Sequence, residues 1–359
     1  MPTVKDVASR ANVSPGTVSN VLTKKRPVSV ATRARVLQAI EELGYQPNAL
    51  ARGLINRRSE TIAVVASGLD YFGPSQIVVG IERAADERGY SLLLRLIHWS
   101  DPREAEHALA TLAGRQVDGI IWAAPEIGDN RARLMPERLA KAPPIVFINM
   151  APRPGMTSIS IDNRRGARQA VEHLIAQGRR TIGLITGPLD WWEARERQAG
   201  WHEALDAAGL RADPALVAIG DWSTVSGEEG LRCLLARVPE LDAIFVSNDQ
   251  MALGALRTAH LSARKVPEDL AVVGFDDLPE STCFWPPLTT MHQPLLDLGR
   301  RAVHLLNEMM EERAAAKTPH ARSVPCLDAE LIVRESSVKV EAEAARHAPC
   351  AGQQHVQIV

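Results

Sequence analysis

Residues 8–22 read ASRANVSPGTVSNVL, two short helical stretches joined at Asn12-Val13. Val4, Val7, Ala8 and Ala11 share one face of the first stretch, and Val13, Val18, Val21 and Leu22 supply the facing side of the second. Ser14 is placed to cap the second helix through its hydroxyl. Pro15 follows at the first helical position, where a missing N–H costs nothing. This is the sequence form of a helix-turn-helix, whose second helix enters the major groove of DNA. A third helix is expected from Ser29 or Thr32 to Leu43, with Val36, Leu37, Ile40 and Leu43 as its apolar stripe and Gly44 as its stop. These helices make a small all-α head over residues 1–46.

Charge supports that reading. Residues 1–60 carry ten Lys/Arg against four Asp/Glu, while the whole chain of 359 residues has a net charge of −2. A basic head on an acidic body points to a nucleic-acid partner, and its caps and apolar periodicity set it apart from a basic tail. Pro47 interrupts the chain and Asn48 can cap a short helix of one or two turns over Ala49 to Ile55, with an Arg57-Arg58-Ser59 linker behind it. A helix that short, containing Gly53, is marginal alone. The segment 47–60 is therefore expected to order on DNA, paired with a second copy.

From Thr61 the pattern changes. Short β-branched runs at 62–66, 90–97, 118–123, 144–149, 158–162, 181–186, 215–220, 242–247 and 270–276 alternate with helical stretches such as 75–88, 163–177, 195–208, 227–236 and 250–260. Near-continuous apolar strands separated by helices mean parallel sheets covered on both faces. Nine strands exceed one comfortable sheet, so two subdomains are expected: about 61–161 with 292–321, and about 162–289 with 322–336. Residues 286–290 read as a crossover, 295–310 as a helix and 322–334 as two last strands. The tail 337–359 is expected to be disordered.

Other classes fit poorly. No apolar run approaches a membrane span, and no export signal opens the chain, which argues against a secreted solute receptor. The four cysteines, Cys233, Cys283, Cys326 and Cys350, have no metal-ligand spacing and suit a reduced, cytoplasmic setting. No Gly-rich phosphate loop, metal cluster or nucleophile–base pair suggests an enzyme, and no cofactor is expected. His98, His173, His202 and His260 are scattered and read as structural.

Four stretches carry a resemblance: residues 3–22 (TVKDVASRANVSPGTVSNVL), 45–54 (YQPNALARGL), 245–256 (FVSNDQMALGAL) and 272–293 (VVGFDDLPESTCFWPPLTTMHQ). With these in order, the chain resembles the lactose-repressor (LacI/GalR) family of bacterial transcription regulators over nearly all of residues 3–335. The resemblance implies an α/β body of two doubly wound parallel-sheet subdomains, like periplasmic binding proteins, behind the helix-turn-helix head. It implies a homodimer on a pseudo-palindromic operator, with a small carbohydrate effector in the cleft and release of DNA as the better expectation than co-repression. A non-sugar effector is the nearest alternative.

Helix two then presents Pro15, Gly16, Thr17 and Asn20 to the groove. Pro15 and Gly16 offer no side-chain hydrogen bond to a base, so direct readout leans on Asn20, which can pair with adenine. Thr3, Ser14, Thr17, Ser19, Ser29 and Thr32 are candidate phosphate contacts, although capping alone accounts for Ser29 equally well. In the hinge, Asn48, Ala51 and Leu54 are carried over from the family, Leu54 as a minor-groove wedge. The family's effector positions fall on Ser67, Ile77, Ala123, Asn149, Arg197, Trp222, Asn248, Asp276, Gln293 and Leu295. Arg197 offers a fork of donors for vicinal hydroxyls, and Trp222 a plate for a sugar's C–H face. Ala123, Asn149 and Leu295 depart from the lactose-repressor pattern, so a galactoside is not implied. Asp249 reads as a helix N-cap and Asp277 as a turn residue; Trp191, Trp192 and Trp285 are candidates for the cleft rim, with core or surface packing the better reading. The tail has no leucine heptads, so a dimer is expected rather than a tetramer.

Overall fold

The computed structural model describes residues 2–23, 26–45, 58–97, 104–127, 139, 142–315 and 324–338. The hinge positions Asn48, Ala51 and Leu54, and the tail beyond Val338, lie outside the described residues. The chain divides into two compact units between Glu60 and Thr61.

In the first unit, α1 (Val4–Ala11) opens on a capping box. Thr3 Oγ1 accepts from the Asp6 N–H, and the Asp6 carboxylate accepts from the Thr3 N–H at 2.7 Å. It ends at Asn12 in the left-handed region, φ +52°. Helix α2 (Pro15–Thr23) starts where Ser14 Oγ accepts from the Thr17 N–H at 3.1 Å. Helix α3 (Val30–Leu43) is capped by Ser29 and closed by Gly44 at φ +57°. Val7, Ala8, Ala11, Val18, Val21, Val36, Ala39 and Tyr45 form the core. Leu37, expected inside, is 48% exposed. The inward stripe of α3 is Val36, Ala39, Ile40 and Leu43, an i, i+3, i+4, i+7 series. Leu37 lies about 100° around the helix from Val36 and falls outside it.

Among the described residues, the second unit contains two sheets. The first has order β2-β1-β3-β4-β5, from β1 (Thr61–Ala66), β2 (Ser91–Leu96), β3 (Gly119–Trp122), β4 (Ile145–Ile148) and β5 (Thr157–Ile159), all parallel. The second has order β11-β10-β9-β8-β6-β7, from β6 (Ile182–Thr186), β7 (Val217–Ile219), β8 (Ala243–Val246), β9 (Ala271–Asp276), β10 (Thr289–His292) and β11 (Glu330–Ile332). In this sheet β11 runs antiparallel to β10 and the other pairs are parallel. The central strands are buried nearly throughout, the pattern that helices on both faces require. The crossover helices are α4 (Phe72–Asp86), α5 (Glu104–Gly114), α6 (Asn163–Ala176), α7 (Trp192–Ala207), α8 (Thr224–Arg237) and α9 (Asp249–Leu261). The chain then returns to the first sheet as α10 (Leu295–Ala314).

Glycines set the approach of α4 to α10. A Cβ on Gly80 would sit 2.4 Å from the Leu296 carbonyl oxygen, and one on Gly299 would sit 2.4 Å from that of Ile77. Backbone therefore meets backbone at two reciprocal points, which fixes the placement of Ile77 and Leu295 on neighbouring turns.

Three expectations are corrected. Residues 289–292 form strand β10, parallel to β9, because Thr289, Thr290 and Met291 are fully buried; the passage between sheets comes at Gln293-Pro294. Of the two strands expected in 322–334, β11 is present, and Leu327 forms only an isolated bridge with Ile161. Ser337, expected to begin a disordered tail, is 1% exposed. Its Oγ lies 2.8 Å from His173 Nε2 and 2.7 Å from Thr289 Oγ1, while Ser336 Oγ donates to the Val272 carbonyl and accepts from the Thr289 N–H. The serine pair substitutes for sheet hydrogen bonds at the start of β9 and β10.

Candidate functional site

A cleft enclosing about 660 Å³ of space, part of it open to solvent, lies where the carboxyl ends of both sheets meet. Tyr71, Phe72 and Ile77 reach it from the turn after β1 and the start of α4, Ala123 and Pro125 from the end of β3, and Asn149 from the end of β4. From the second sheet come Trp191, Glu193 and Arg197 after β6, Trp222 after β7, Asn248 and Gln250 after β8, Asp276 at the end of β9, and Gln293 and Leu295 after β10. Crevices at strand carboxyl ends are where parallel α/β folds bind ligands.

The backbone is strained here. Asn149, Trp222 and Asp276 have φ of +52°, +73° and +125°, unusual for residues bearing a Cβ. Gly187 lets Trp222 fold in, since a Cβ there would lie 2.1 Å from the indole. Asn248 holds that turn from the other side: its Nδ2 donates to the Trp222 carbonyl at 3.0 Å, and its Oδ1 accepts from the Met251 N–H at 2.9 Å. Asn248, not Asp249, is thus the N-cap of α9. Asp249 is the first helical residue and fully buried. It accepts from the Leu278 N–H at 2.9 Å and from the Ser281 and Thr290 hydroxyls at 2.6 Å each. Asp277 has φ +58° and pairs with Arg334 at 2.7 Å.

Arg197 is the cation at the centre. It is 6% exposed. Its Nε donates to Asn163 Oδ1 at 2.7 Å, its Nη1 to the Ser247 carbonyl, and its guanidinium lies 3.9 Å from the Phe275 ring centre. Asp276 Oδ1 is 3.9 Å away and accepts from Gln293 Nε2 at 2.6 Å. Burial lowers the basicity of Arg197, with Asp276 opposing the shift. Burial also lifts Asp276 to a pKa of about 7 against the pull of Arg197, and lifts Glu193 to about 7 as well.

Three polar atoms of the wall are buried without a hydrogen-bond partner among the described residues: Asn149 Oδ1, Glu193 Oε2 and Trp222 Nε1. Two are acceptors and one is a donor. A ligand offering at least two donors and one acceptor, as a polyol does, satisfies all three. Around them, Trp191 meets Trp222 edge-on at 5.8 Å and Tyr71 at 6.1 Å.

Of the residues singled out in the sequence, Ile77, Ala123, Asn149, Arg197, Trp222, Asn248, Asp276, Gln293 and Leu295 come together on this wall. Ser67 does not line it and is buried just past β1. Trp191, for which packing was the better expectation and the cleft rim the alternative, lines the cleft, whereas Trp285 is 90% exposed. Sequence reasoning missed Tyr71, Phe72, Glu193 and Gln250. Each follows closely on an apolar strand, so the strand-end rule applied to every strand would have found them.

In the head, Ser14, Pro15 and Gly16 are exposed, and Thr17, Ser19 and Asn20 are half-exposed or partly covered on α2. Ser14 and Thr17 hydroxyls bond each other at 2.9 Å, as do those of Ser29 and Thr32. Thr3, Ser14 and Ser29 all serve as caps. A Cβ on Gly16 would meet only Ser14 Oγ, at 3.7 Å, leaving an open surface beside Pro15.

Comparison with known proteins agrees with both units. Residues 3–48 match the bacterial regulatory proteins of the lacI family, and residues 171–337 match a periplasmic binding protein-like domain. The HTH-type transcriptional regulator CelR of Thermobifida fusca is 38% identical over 346 residues, covering 93% of this chain and 98% of the relative. A solved complex of the transcriptional regulator CelR with cellobiose is 37% identical, covers 94% of this chain and 100% of that one, and superposes with a TM-score of 0.69. The lac repressor dimer bound to operator and the anti-inducer ONPF is 34% identical, with 94% and 99% covered and a TM-score of 0.85. Among the described residues, no helix is long and apolar enough to cross a membrane.

Proposed function

The chain belongs to the LacI family of bacterial transcriptional regulators, and from that premise we propose that it is a dimeric repressor released from its operator by a neutral disaccharide of β-linked glucose units. The observation that carries the ligand class is the set of unpartnered polar atoms, Asn149 Oδ1, Glu193 Oε2 and Trp222 Nε1, contributed by both subdomains to one aromatic-rimmed cleft. Hydroxyls of a sugar supply the missing donors and acceptor, and Trp191, Trp222 and Tyr71 suit the flat faces of equatorially substituted rings. Three aromatic side chains spread along the wall offer more stacking surface than a single ring needs, which supports two rings. The relationship to a regulator solved with cellobiose supports the linkage.

In this reading, Arg197 and Asp276 hold hydroxyls from the second subdomain, and Asn149 and Ile77 meet the sugar from the first. Closing on the ligand changes how the first subdomains of the dimer face each other, and the two hinges around Leu54 can no longer pair in the minor groove. The ligand shifts that equilibrium only through its different affinities for the two states. On the DNA side, Thr3, Ser14, Thr17, Ser19, Ser29 and Thr32 hold phosphates, Asn20 reads a base, and Asn48, Ala51 and Leu54 act in the minor groove. We place the protein in the cytoplasm on the chromosome, with no catalytic role.

The test is selection of genomic fragments by the purified protein, followed by a screen of sugars for release. Enrichment of a pseudo-palindrome released by cellobiose is expected. Fragments retained by every mono- and disaccharide, or released by a purine alone, would overturn the proposal.

A further inference from the structure

One acidic group on the cleft wall keeps a buried oxygen without a hydrogen-bond partner among the described residues. Glu193 stands in the first turn of α7, is 8% exposed, and its Oε2 has no hydrogen-bond partner. Arg197 and Arg195 pull on its charge but donate their hydrogen bonds elsewhere. Arg197, one turn along, serves Asn163, the Ser247 carbonyl and Asp276. Arg195 donates to the carbonyls of Leu189 and Asp190. Beside it, in the loop after β3, the Glu126 carbonyl accepts from the Trp192 N–H at 3.2 Å, and the Glu126 carboxylate is paired with Arg153 at 2.8 Å and adds negative charge toward Glu193. Asp276 and the Tyr71 hydroxyl complete the titratable groups on the same wall. Trp191, Trp222 and Tyr71 present aromatic faces and edges there and no charge.

We propose that Glu193 is the specificity-determining residue of the cleft: in its ionised form Oε2 accepts a hydrogen bond from a sugar hydroxyl, and the same charge turns away sugars bearing a carboxylate or phosphate. The proposal rests on the reading of the cleft as a sugar site. An ionised carboxylate only accepts, so it selects a donor, and a charge-assisted bond is stronger than a neutral one. An anionic substituent would add like charge in a poorly solvated site whose described cations are already engaged.

The bond has a proton-linked consequence. Burial holds Glu193 near a pKa of about 7, so the free site is close to half protonated at neutral pH. A ligand that binds only the ionised form gains about tenfold in affinity between pH 6 and pH 8, and releases a proton at the lower pH, because affinity scales with the competent fraction.

The experiment is titration calorimetry on the full-length protein with cellobiose at pH 6, 7 and 8, in buffers of different ionisation enthalpy, and with cellobionate at pH 8. The unmodified protein is expected to bind cellobiose about tenfold more tightly at pH 8 than at pH 6, with proton release, and cellobionate at least tenfold more weakly than cellobiose. Glu193→Gln should remove about tenfold of the rise in affinity between pH 6 and pH 8, leaving only the part set by Asp276 at its similar pKa of about 7, and narrow the gap between the two ligands. Affinity that is flat or falls with pH in the unmodified protein overturns the proposal, and that arm stands even if the variant does not fold. A folded Glu193→Gln whose pH profile is no shallower than that of the unmodified protein and whose discrimination is intact overturns it too. Failure of cellobiose and every other sugar to bind the unmodified protein overturns the sugar reading itself. Binding without the pH profile overturns only the role of Glu193.

Discussion

Replacing Arg197 with methionine keeps most of the side-chain length and removes the charge. It leaves Asn163 Oδ1, the Ser247 carbonyl and the Asp276 carboxylate without their donor or counter-charge. The ion pair spans 3.9 Å, with side chains 7% and 9% exposed. At an effective dielectric constant of about 20, that separation is worth roughly 4 kcal/mol of attraction, much of it offset by desolvation. Breaking a buried pair from one side costs about 3–5 kcal/mol. Here Asp276, held to a pKa of about 7 even beside Arg197, takes up a proton once the guanidinium is gone. The cost falls toward the lower end and lies mainly in the lost donors to Asn163 and Ser247. Arg197→Met should therefore lower the melting temperature of the body by roughly 6–15 °C and abolish detectable sugar binding. The double variant with Asp276→Asn should be less damaging than the two single changes added together, by about 2 kcal/mol. Urea unfolding of all four proteins, followed by tryptophan fluorescence, measures this. A loss below about 1 kcal/mol for Arg197→Met, or strict additivity of the pair, would refute the reasoning.

The raised acidities of Glu193 and Asp276 give the free protein a pH-dependent stability. Both groups hold a proton in the folded state up to about pH 7 that the unfolded chain gives up near pH 4. Their contribution to stability therefore falls as pH rises from about 4 to about 7 and levels off above, with about 1 kcal/mol per carboxylate lost between pH 6 and pH 8; a melting temperature equal or higher at pH 8 would contradict this. Gly80→Ala drives a methyl into the Leu296 carbonyl at 2.4 Å. It should cost about 1–3 kcal/mol and weaken sugar binding by displacing Ile77 and Leu295; an unchanged urea midpoint would be inconsistent with the close helix contact. A chain ending at Val338 should melt within a degree or so of the full-length protein. One ending at Glu335 loses the buried bonds of Ser336 and Ser337 and about 3 kcal/mol or more; equal melting of the two truncations would count against the anchoring role. Leu54→Ala should weaken operator binding by roughly a hundredfold or more in gel shift while the melting profile stays unchanged; retained affinity would dispose of the wedge.

Much of this molecule can be read from its chain because the signals are local. Ser14-Pro15, Asn12 and Gly44 punctuate the head through backbone geometry, and the β-branched runs of the body declare buried parallel strands. The errors arise where distant segments decide. Thr289 and Thr290 look like a polar connection until Asp249 and Ser336 are seen to satisfy them. Ser337 looks like the start of a tail until His173 is seen beside it. Leu37 draws the eye by hydropathy, yet the inward stripe of α3 runs through the small Ala39 instead. At the cleft, Arg197, Trp222 and Asp276 came from the family pattern, which records positions that already serve a ligand. Glu193 and Tyr71 escaped, and Trp191 was weighted toward packing, because an acid or aromatic at a helix start has ordinary structural explanations. Only the fold shows Glu193 Oε2 buried without a partner.

The central claim is that sugar and operator compete through one conformational equilibrium, and reciprocity tests it most directly. Cellobiose affinity of the full-length dimer should be measured by calorimetry with and without saturating operator DNA, and operator affinity by fluorescence anisotropy with and without saturating cellobiose. The account predicts that each ligand weakens the other by the same factor, about tenfold or more. Equal cellobiose affinity in the presence and absence of operator would contradict it.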